Sequence, residues 1–207
     1  MEFLVGQFSG GVAAAPFINK RRQLVTQDEY ASDVERGRAF CVANQTGVTS
    51  QAGLSLTTPV LTLYNPTGSG VTGRLWMACA QFEVVFAAVA SVWLCAGTNT
   101  VAAAVTGTLT TAHRNMKLGG TNAQGNKIVP FLAATLPAAP VAIDLLGVGG
   151  TGAIVLLPIS APLRVWYPAP ILMREGTNIS IQTSAASGTS STLCSYIWSE
   201  VPNEEMN

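Results

Sequence analysis

From Ala39 onward the chain is a series of short runs in which apolar and polar residues alternate, each closed by residues that favour turns. Alternation places successive side chains on opposite faces of a strand, and no run sustains the period of about 3.6 that marks an amphipathic helix. The runs predict strands at Ala39–Ala43, Leu54–Tyr64, Gly73–Phe86, Ala88–Ala96, Gly107–Thr111, Val141–Leu146, Gly152–Pro158, Leu163–Tyr167, Ile171–Leu172, Asn178–Ser184 and Thr192–Ser199. Turn chemistry falls between them at Asn65–Gly70, Gly97–Asn99, Gly119–Gly125, Gly147–Gly152 and Ala185–Gly188. About ten short strands at this spacing predict an all-β fold, a β-sandwich or jelly roll. Prolines at Pro158, Pro162, Pro168 and Pro170 belong at a strand edge or a subunit seam, because proline cannot donate to a central ladder.

The segment Trp76–Cys95 is long enough to cross a bilayer as a helix, but Gln81 and Glu83 sit near its middle. A charge there costs about 2.5–3.5 kcal/mol on insertion, and no basic cluster flanks it. The segment reads better as two strands. In the first, Trp76, Ala78, Ala80, Phe82, Val84 and Phe86 share one face, and Met77, Cys79, Gln81 and Glu83 the other.

Upstream of residue 40 the texture changes. Met1–Pro16 is rich in Gly and Ala with scattered Phe3, Leu4, Val5 and Phe8, and Phe17 follows. Such a segment cannot build its own core but can lie along another surface, which predicts an extended N-terminal arm. Lys20–Arg38 then concentrates nine charged residues of both signs. Thr26 to Glu29 can start a short helix with Tyr30 and Val34 on one side, and Gly37 ends it. The expected division is an arm with a short charged helical segment over residues 1–45 and a β-sandwich over 46–207. The cluster Lys20, Arg21 and Arg22 fits a solvated surface, or a contact with phosphates or an acidic neighbouring subunit.

Between Phe40 and Ser199 only nine residues are charged: Arg74, Glu83, Arg114, Lys117, Lys127, Asp144, Arg164, Arg174 and Glu175. Such a stretch has few groups for acid–base or metal chemistry and little charge repulsion to keep its surface apart from others. It predicts a surface covered by copies of itself or by a partner. Over the whole chain 11 basic and 11 acidic residues cancel, so no overall field favours nucleic acid or an acidic membrane.

Candidate chemistry is sparse. Gly147–Gly152 (GVGGTG) satisfies the dinucleotide-loop spacing, but a β-branched run ending in Pro158 follows it where a helix is needed, and no acidic residue stands about 20 positions on. Gly120–Lys127 lacks the end of a phosphate loop. His113 is the single histidine, and no nucleophile elbow or close carboxylate pair accompanies it or Asp144. Cys41, Cys79, Cys95 and Cys194 are far apart, a poor metal set, and are expected as free, half-buried thiols. A Cys79–Cys95 pair would need an oxidising compartment, whereas the N-terminus reads as that of a chain made in a cytoplasm. Asn44–Thr46 and Asn178–Ser180 match the glycosylation sequon, which carries meaning only with secretion. Trp76, Trp93, Trp166, Tyr167, Tyr196 and Trp198 serve either packing or a sugar-stacking platform.

The C-terminal third has a recognisable pattern. Pro170–Gly176 (PILMREG) is followed by Asn178–Thr183 (NISIQT), a Gly/Ser/Thr hairpin and Tyr196–Glu200 (YIWSE), and Thr57–Gly70 (TTPVLTLYNPTGSG) stands earlier. Over residues 50–200 this resembles tailed-bacteriophage virion structural proteins of the β-sandwich type, capsid decoration or cement proteins among them. The resemblance implies a homo-oligomer, often a trimer, on the outside of the head or in the tail. It further implies a location in the virion after assembly in a host cytoplasm, with the major capsid protein or other virion proteins as partners. No enzyme activity, cofactor, metal, direct nucleic-acid contact or membrane contact is expected. Arm residues Phe3, Phe8, Phe17, Lys20, Arg21 and Arg22 are the candidate capsid or subunit contacts. The alternative expectation is a tail or head-fibre module that binds a host receptor or glycan through Trp and Tyr.

Overall fold

The computed structural model describes residues 28–49, 53–82, 89–98, 105–110, 112–118, 125–149, 162–184 and 192–206. Among these the chain forms two antiparallel sheets packed face to face, a β-sandwich. One short helix, α1 (Glu29–Glu35), comes first. Its N-cap Asp28 accepts from the Tyr30 N–H at 3.3 Å, Glu29 suits the positive end of the helix, and Gly37 at φ +71° ends it. This is the helix expected from the sequence, with Gly37 at the expected stop.

The strands are β1 (Ala39–Ala43), β2 (Leu61–Asn65), β3 (Val71–Phe82), β4 (Ala90–Thr98), β5 (Thr106–Leu109), β6 (Arg114–Asn115), β7 (Val129–Thr135), β8 (Val141–Gly149), β9 (Leu163–Met173), β10 (Thr177–Thr183) and β11 (Thr192–Pro202). A 3-10 turn, Asn203–Glu205, closes the described chain. Sheet I runs β6-β1-β11-β3-β9 and sheet II runs β5-β7-β2-β10-β4-β8. The pairings nest: β1 with β11, β2 with β10, β3 with β9, β4 with β8 and β5 with β7. A long antiparallel ribbon wound across two sheets produces this nesting, which is the jelly-roll arrangement. It puts the first and last strands side by side in sheet I.

Alternation along each strand fills the space between the sheets. Sheet I contributes Phe40, Val42, Leu75, Ala78, Ala80, Cys194, Tyr196 and Trp198, and sheet II contributes Leu61, Leu63, Val92, Leu94, Leu146, Ile179 and Ile181. Trp198 stacks on Phe40 with ring centroids 5.6 Å apart. The Tyr196 hydroxyl donates to the Leu61 carbonyl at 3.0 Å, tying one sheet to the other. Two buried asparagines staple strand ends. Asn44 donates to Thr46 and Thr192 carbonyls and accepts from the Cys194 N–H. Asn65 donates to the carbonyls of Val71 and Met173 and accepts from the Ser69 hydroxyl.

Several expectations change. β1 lies hydrogen-bonded between β11 and β6 with Phe40 and Val42 in the core, so the sandwich starts upstream of residue 46. The strand predicted over Leu54–Tyr64 begins at Leu61. Ahead of it, the Ser55 N–H and carbonyl engage the Gln182 side chain on β10. The two strands predicted at Leu163–Tyr167 and Ile171–Leu172 are one edge strand, β9, that carries Pro168 and Pro170, as a proline-bearing edge should. A turn at Glu175–Gly176, with the Thr177 N–H bonded to the Arg174 carbonyl at 3.2 Å, carries the chain from β9 in sheet I to β10 in sheet II. The face predicted for Trp76 is wrong. The register slips between Leu75 and Met77 against both neighbours, so Leu75 and Ala78 both reach the core while Trp76 turns to the outer face of sheet I. The segment predicted as a strand at Gly152–Pro158 lies outside the described residues.

Candidate functional site

The outer face of sheet I gathers polar and aromatic side chains, and α1 organises it. Ser199 follows the core Trp198 and therefore points outward. Its hydroxyl donates to Asp33 Oδ2 at 2.5 Å and accepts from Trp76 Nε1 at 2.9 Å. Arg74 lies 3.6 Å from the same Asp33 oxygen and 3.4 Å from Glu29. Helix carboxylates thus meet a strand guanidinium and hydroxyl, which fixes α1 on the sheet. Tyr30 packs against Trp76 and edge-on against Trp166, with centroids 5.5 and 5.0 Å apart. Burial pushes the Tyr30 phenol above its ordinary range.

A second clamp ties the two ends of the described chain. Arg38 binds Glu205 through two N–H groups at 2.6 and 2.7 Å, a fork on a carboxylate. That bond, then the charge of Arg38, holds Glu205 below the usual carboxylate range. Close by, Thr72, Arg174, Glu175, Asn203 and Met206 line a cleft of about 340 Å³. Glu175 accepts from the backbone N–H groups of Gly68 and Gly70 and from Asn203, and these bonds lower its pKa, Gly68 first. Both carboxylates have depressed pKa values, so their stabilisation is complete above the unfolded carboxylate range and lost as pH falls through the lower folded values. We predict that E205Q melts below wild type at neutral pH and that the gap closes in acid; a gap that is constant with pH would contradict this.

Several sequence-derived candidates do not assemble. His113 Nδ1 lies 3.2 Å from the Thr110 carbonyl, while Asp144 accepts from the Tyr167 hydroxyl at 2.8 Å, so the two residues do not form a relay. Gly147 is a strand residue whose missing side chain makes room for Leu163: a Cβ there would meet Leu163 Cδ2 at 2.6 Å. Lys127 offers its backbone N–H to Glu200, not to a phosphate. All four cysteines are free, with Cys41 and Cys79 half-buried and Cys95 and Cys194 buried. Burial pushes the Cys95 thiol up to about 12 and raises the other three. Among the described residues no group of three or more His, Cys, Asp or Glu could hold a metal ion. Among them, too, no helix is long and apolar enough to cross a membrane. Asn44 and Asn178 of the two sequons are 4% and 1% exposed, which closes both to glycan attachment in the folded chain.

The aromatic candidates divide. Trp198 and Tyr196 are core residues, so neither can serve a sugar platform. Trp166 is 42% exposed and lies beside Tyr30. Phe3, Phe8, Phe17, Lys20, Arg21 and Arg22 lie outside the described residues, and the segment that carries them leads into α1 and its clamp. Sequence reasoning missed Asp33, Arg74 and Ser199 as a set. Arg74 is an isolated charge in an apolar run, but Asp33 stands among the many charges of Lys20–Arg38, and no fixed spacing joins the three. Compared with known proteins, the chain matches no family model, no curated protein and no solved structure.

Proposed function

We propose that the chain is a structural virion protein, a capsid decoration or cement protein that acts as a homo-oligomer of β-sandwiches and uses its N-terminal segment to grip the phage head. One observation carries the reading. Large apolar side chains stand exposed on a sandwich that has almost no charge, among them Val89, Leu109, Leu118, Val141 and Leu172. Charge is concentrated instead at α1, where it is used to dock the helix that follows the Gly/Ala/Phe segment. A rigid root carrying a Gly/Ala/Phe segment that ends in the basic cluster Lys20, Arg21 and Arg22 suits reach to a neighbouring surface, and many copies on one particle offset the ordering cost of each. In this reading the protein performs no reaction and its location is the virion. A second reading, a tail or head-fibre module that binds a glycan, rests on the half-exposed Trp166 beside Tyr30.

Deletion of residues 1–22 tests the first reading. The truncated chain is expected to melt like the full chain, because α1 and the sandwich lie beyond the cut, and to lose binding to heads assembled without the protein. Unchanged occupancy on those heads would overturn the reading.

A further inference from the structure

α1 is attached to the sandwich differently from the chain that follows it. Of its residues only Asp33 is buried, and among the described residues the core between the sheets takes no side chain from it. Its aromatic contact is the Tyr30 ring on Trp76 and Trp166. Polar contacts surround that ring: Glu29 and Asp33 on Arg74, Asp33 on Ser199, Arg36 on Glu205 at 3.7 Å, and the Glu35 carbonyl on Lys117 Nζ at 2.9 Å. The Glu29, Arg36 and Glu205 side chains are 67%, 56% and 41% exposed, so the pairs they make hold weakly and are screened by salt.

From Gly37 onward the attachment runs through the backbone and is continuous with sheet I. The Gly37 carbonyl accepts from Asn115 Nδ2, the Arg38 carbonyl accepts from the Glu200 N–H at 2.9 Å, and Ala39 opens β1 beside β11. The boundary between the two kinds of attachment falls at Gly37, just ahead of the fork of Arg38 on Glu205. A 7-residue helix does not persist in water by itself, so whatever detaches α1 also unwinds it. Unwinding replaces a rise of about 1.5 Å per residue by up to about 3.3 Å. Detachment also removes the ring that packs on Trp76, which is 3% exposed while α1 is docked.

We propose that α1 is a salt-sensitive strap: it undocks from sheet I and unwinds while both sheets stay paired, which lengthens the N-terminal segment by residues 28–36 and uncovers Trp76. Order–disorder change of a short segment on a stable scaffold is an established kind of switch. The strap works in the same way whatever that segment binds. In the virion reading the docked strap is the rigid root, and the released strap is a longer tether.

Native-state amide hydrogen exchange of the full-length protein, read residue by residue by NMR at low and at high salt, tests this. The Ser32 and Arg36 N–H groups, which donate to the Asp28 and Ser32 carbonyls, report on α1, and the ladder of β1 with β11 reports on the sandwich. Ser32 and Arg36 are expected to exchange at least about a hundredfold faster than the protected amides of β1 and β11, through an opening that denaturant barely promotes. High salt is expected to speed them about tenfold and to leave the sheet amides unchanged. D33N is expected to speed them further and to leave the main melting transition in place. Exchange of Ser32 and Arg36 at the rate of the sheet amides, or a D33N variant that melts well below wild type, would make α1 part of the same cooperative unit and overturn the strap. Fast exchange that salt leaves unchanged would overturn its ionic hold.

Discussion

Trp198→Ala is expected to cost the protein about 3–5 kcal/mol, the usual range for removing a large aromatic side chain from a core. Single domains are stable by only about 5–15 kcal/mol, so the variant should be largely unfolded at moderate temperature. The side chain is fully buried and stacks on Phe40 of β1, joining the last strand to the first. Because β1 and β11 lie side by side in sheet I, the cavity would open between the sheets where the first and last strands meet. Trp198→Phe keeps a ring against Phe40 and loses the indole N–H, so it should fall between the two. Thermal melting followed by circular dichroism reads the order wild type, Phe, Ala; an alanine variant that melts with wild type would contradict this description of the core.

The second large effect is expected at Glu200. Its carboxylate is buried and accepts from the Lys127 N–H at 2.7 Å, the Ile128 N–H at 3.0 Å and Trp198 Nε1 at 3.1 Å. Glu200→Ala leaves three donors without a partner. Each unsatisfied donor costs about 1–3 kcal/mol, offset in part by relief from burying a charge, so a net loss of about 3 kcal/mol is expected. Glu200→Gln keeps an acceptor oxygen and should lose less.

The pH dependence at this residue has a defined sign. Burial raises the Glu200 pKa against the lowering effect of its hydrogen bonds. A carboxyl with a raised folded pKa binds its proton more tightly in the folded state, so its contribution to stability falls as pH rises through that value. Wild type should therefore gain stability relative to E200Q as pH drops from neutral into the carboxylate range. Glu175 and Glu205 act in the opposite direction but are common to both proteins and cancel in the difference. Denaturation midpoints that run parallel with pH would contradict the assignment.

Some of this structure could be read from the chain. A helix start within Thr26 to Glu29 and Gly37 as its stop were read correctly, with the cap falling at Asp28, and Ala39–Ala43 is β1 to the residue, because capping residues, a left-handed glycine and plain alternation are local signals. β7 was not anticipated. Pro130 at its second position argues against a strand, yet the Pro130 carbonyl accepts from the Thr110 N–H on the side where pairing with β5 is ending, so the missing N–H removes little. Trp76 was misplaced because an extra residue in a strand leaves no mark in composition, and only the registers of β11 and β9 against β3 reveal it.

Exposed apolar surface was legible as a class and not as places. Poverty in charge between Phe40 and Ser199 predicted covered surfaces. Which edge stays open depends on the order of strands in each sheet, a non-local property that joins Val141–Gly149 to Ala90–Thr98 across an intervening stretch with three other strands. The Asp33, Arg74 and Ser199 set likewise gathers residues from α1, β3 and β11.

The central claim is that this chain works as an assembled structural unit. The most direct measurement is the native mass of the purified full-length protein by light scattering at two concentrations. A stable multiple of the 21.5 kDa chain at both is predicted, and a single chain at both would contradict the account.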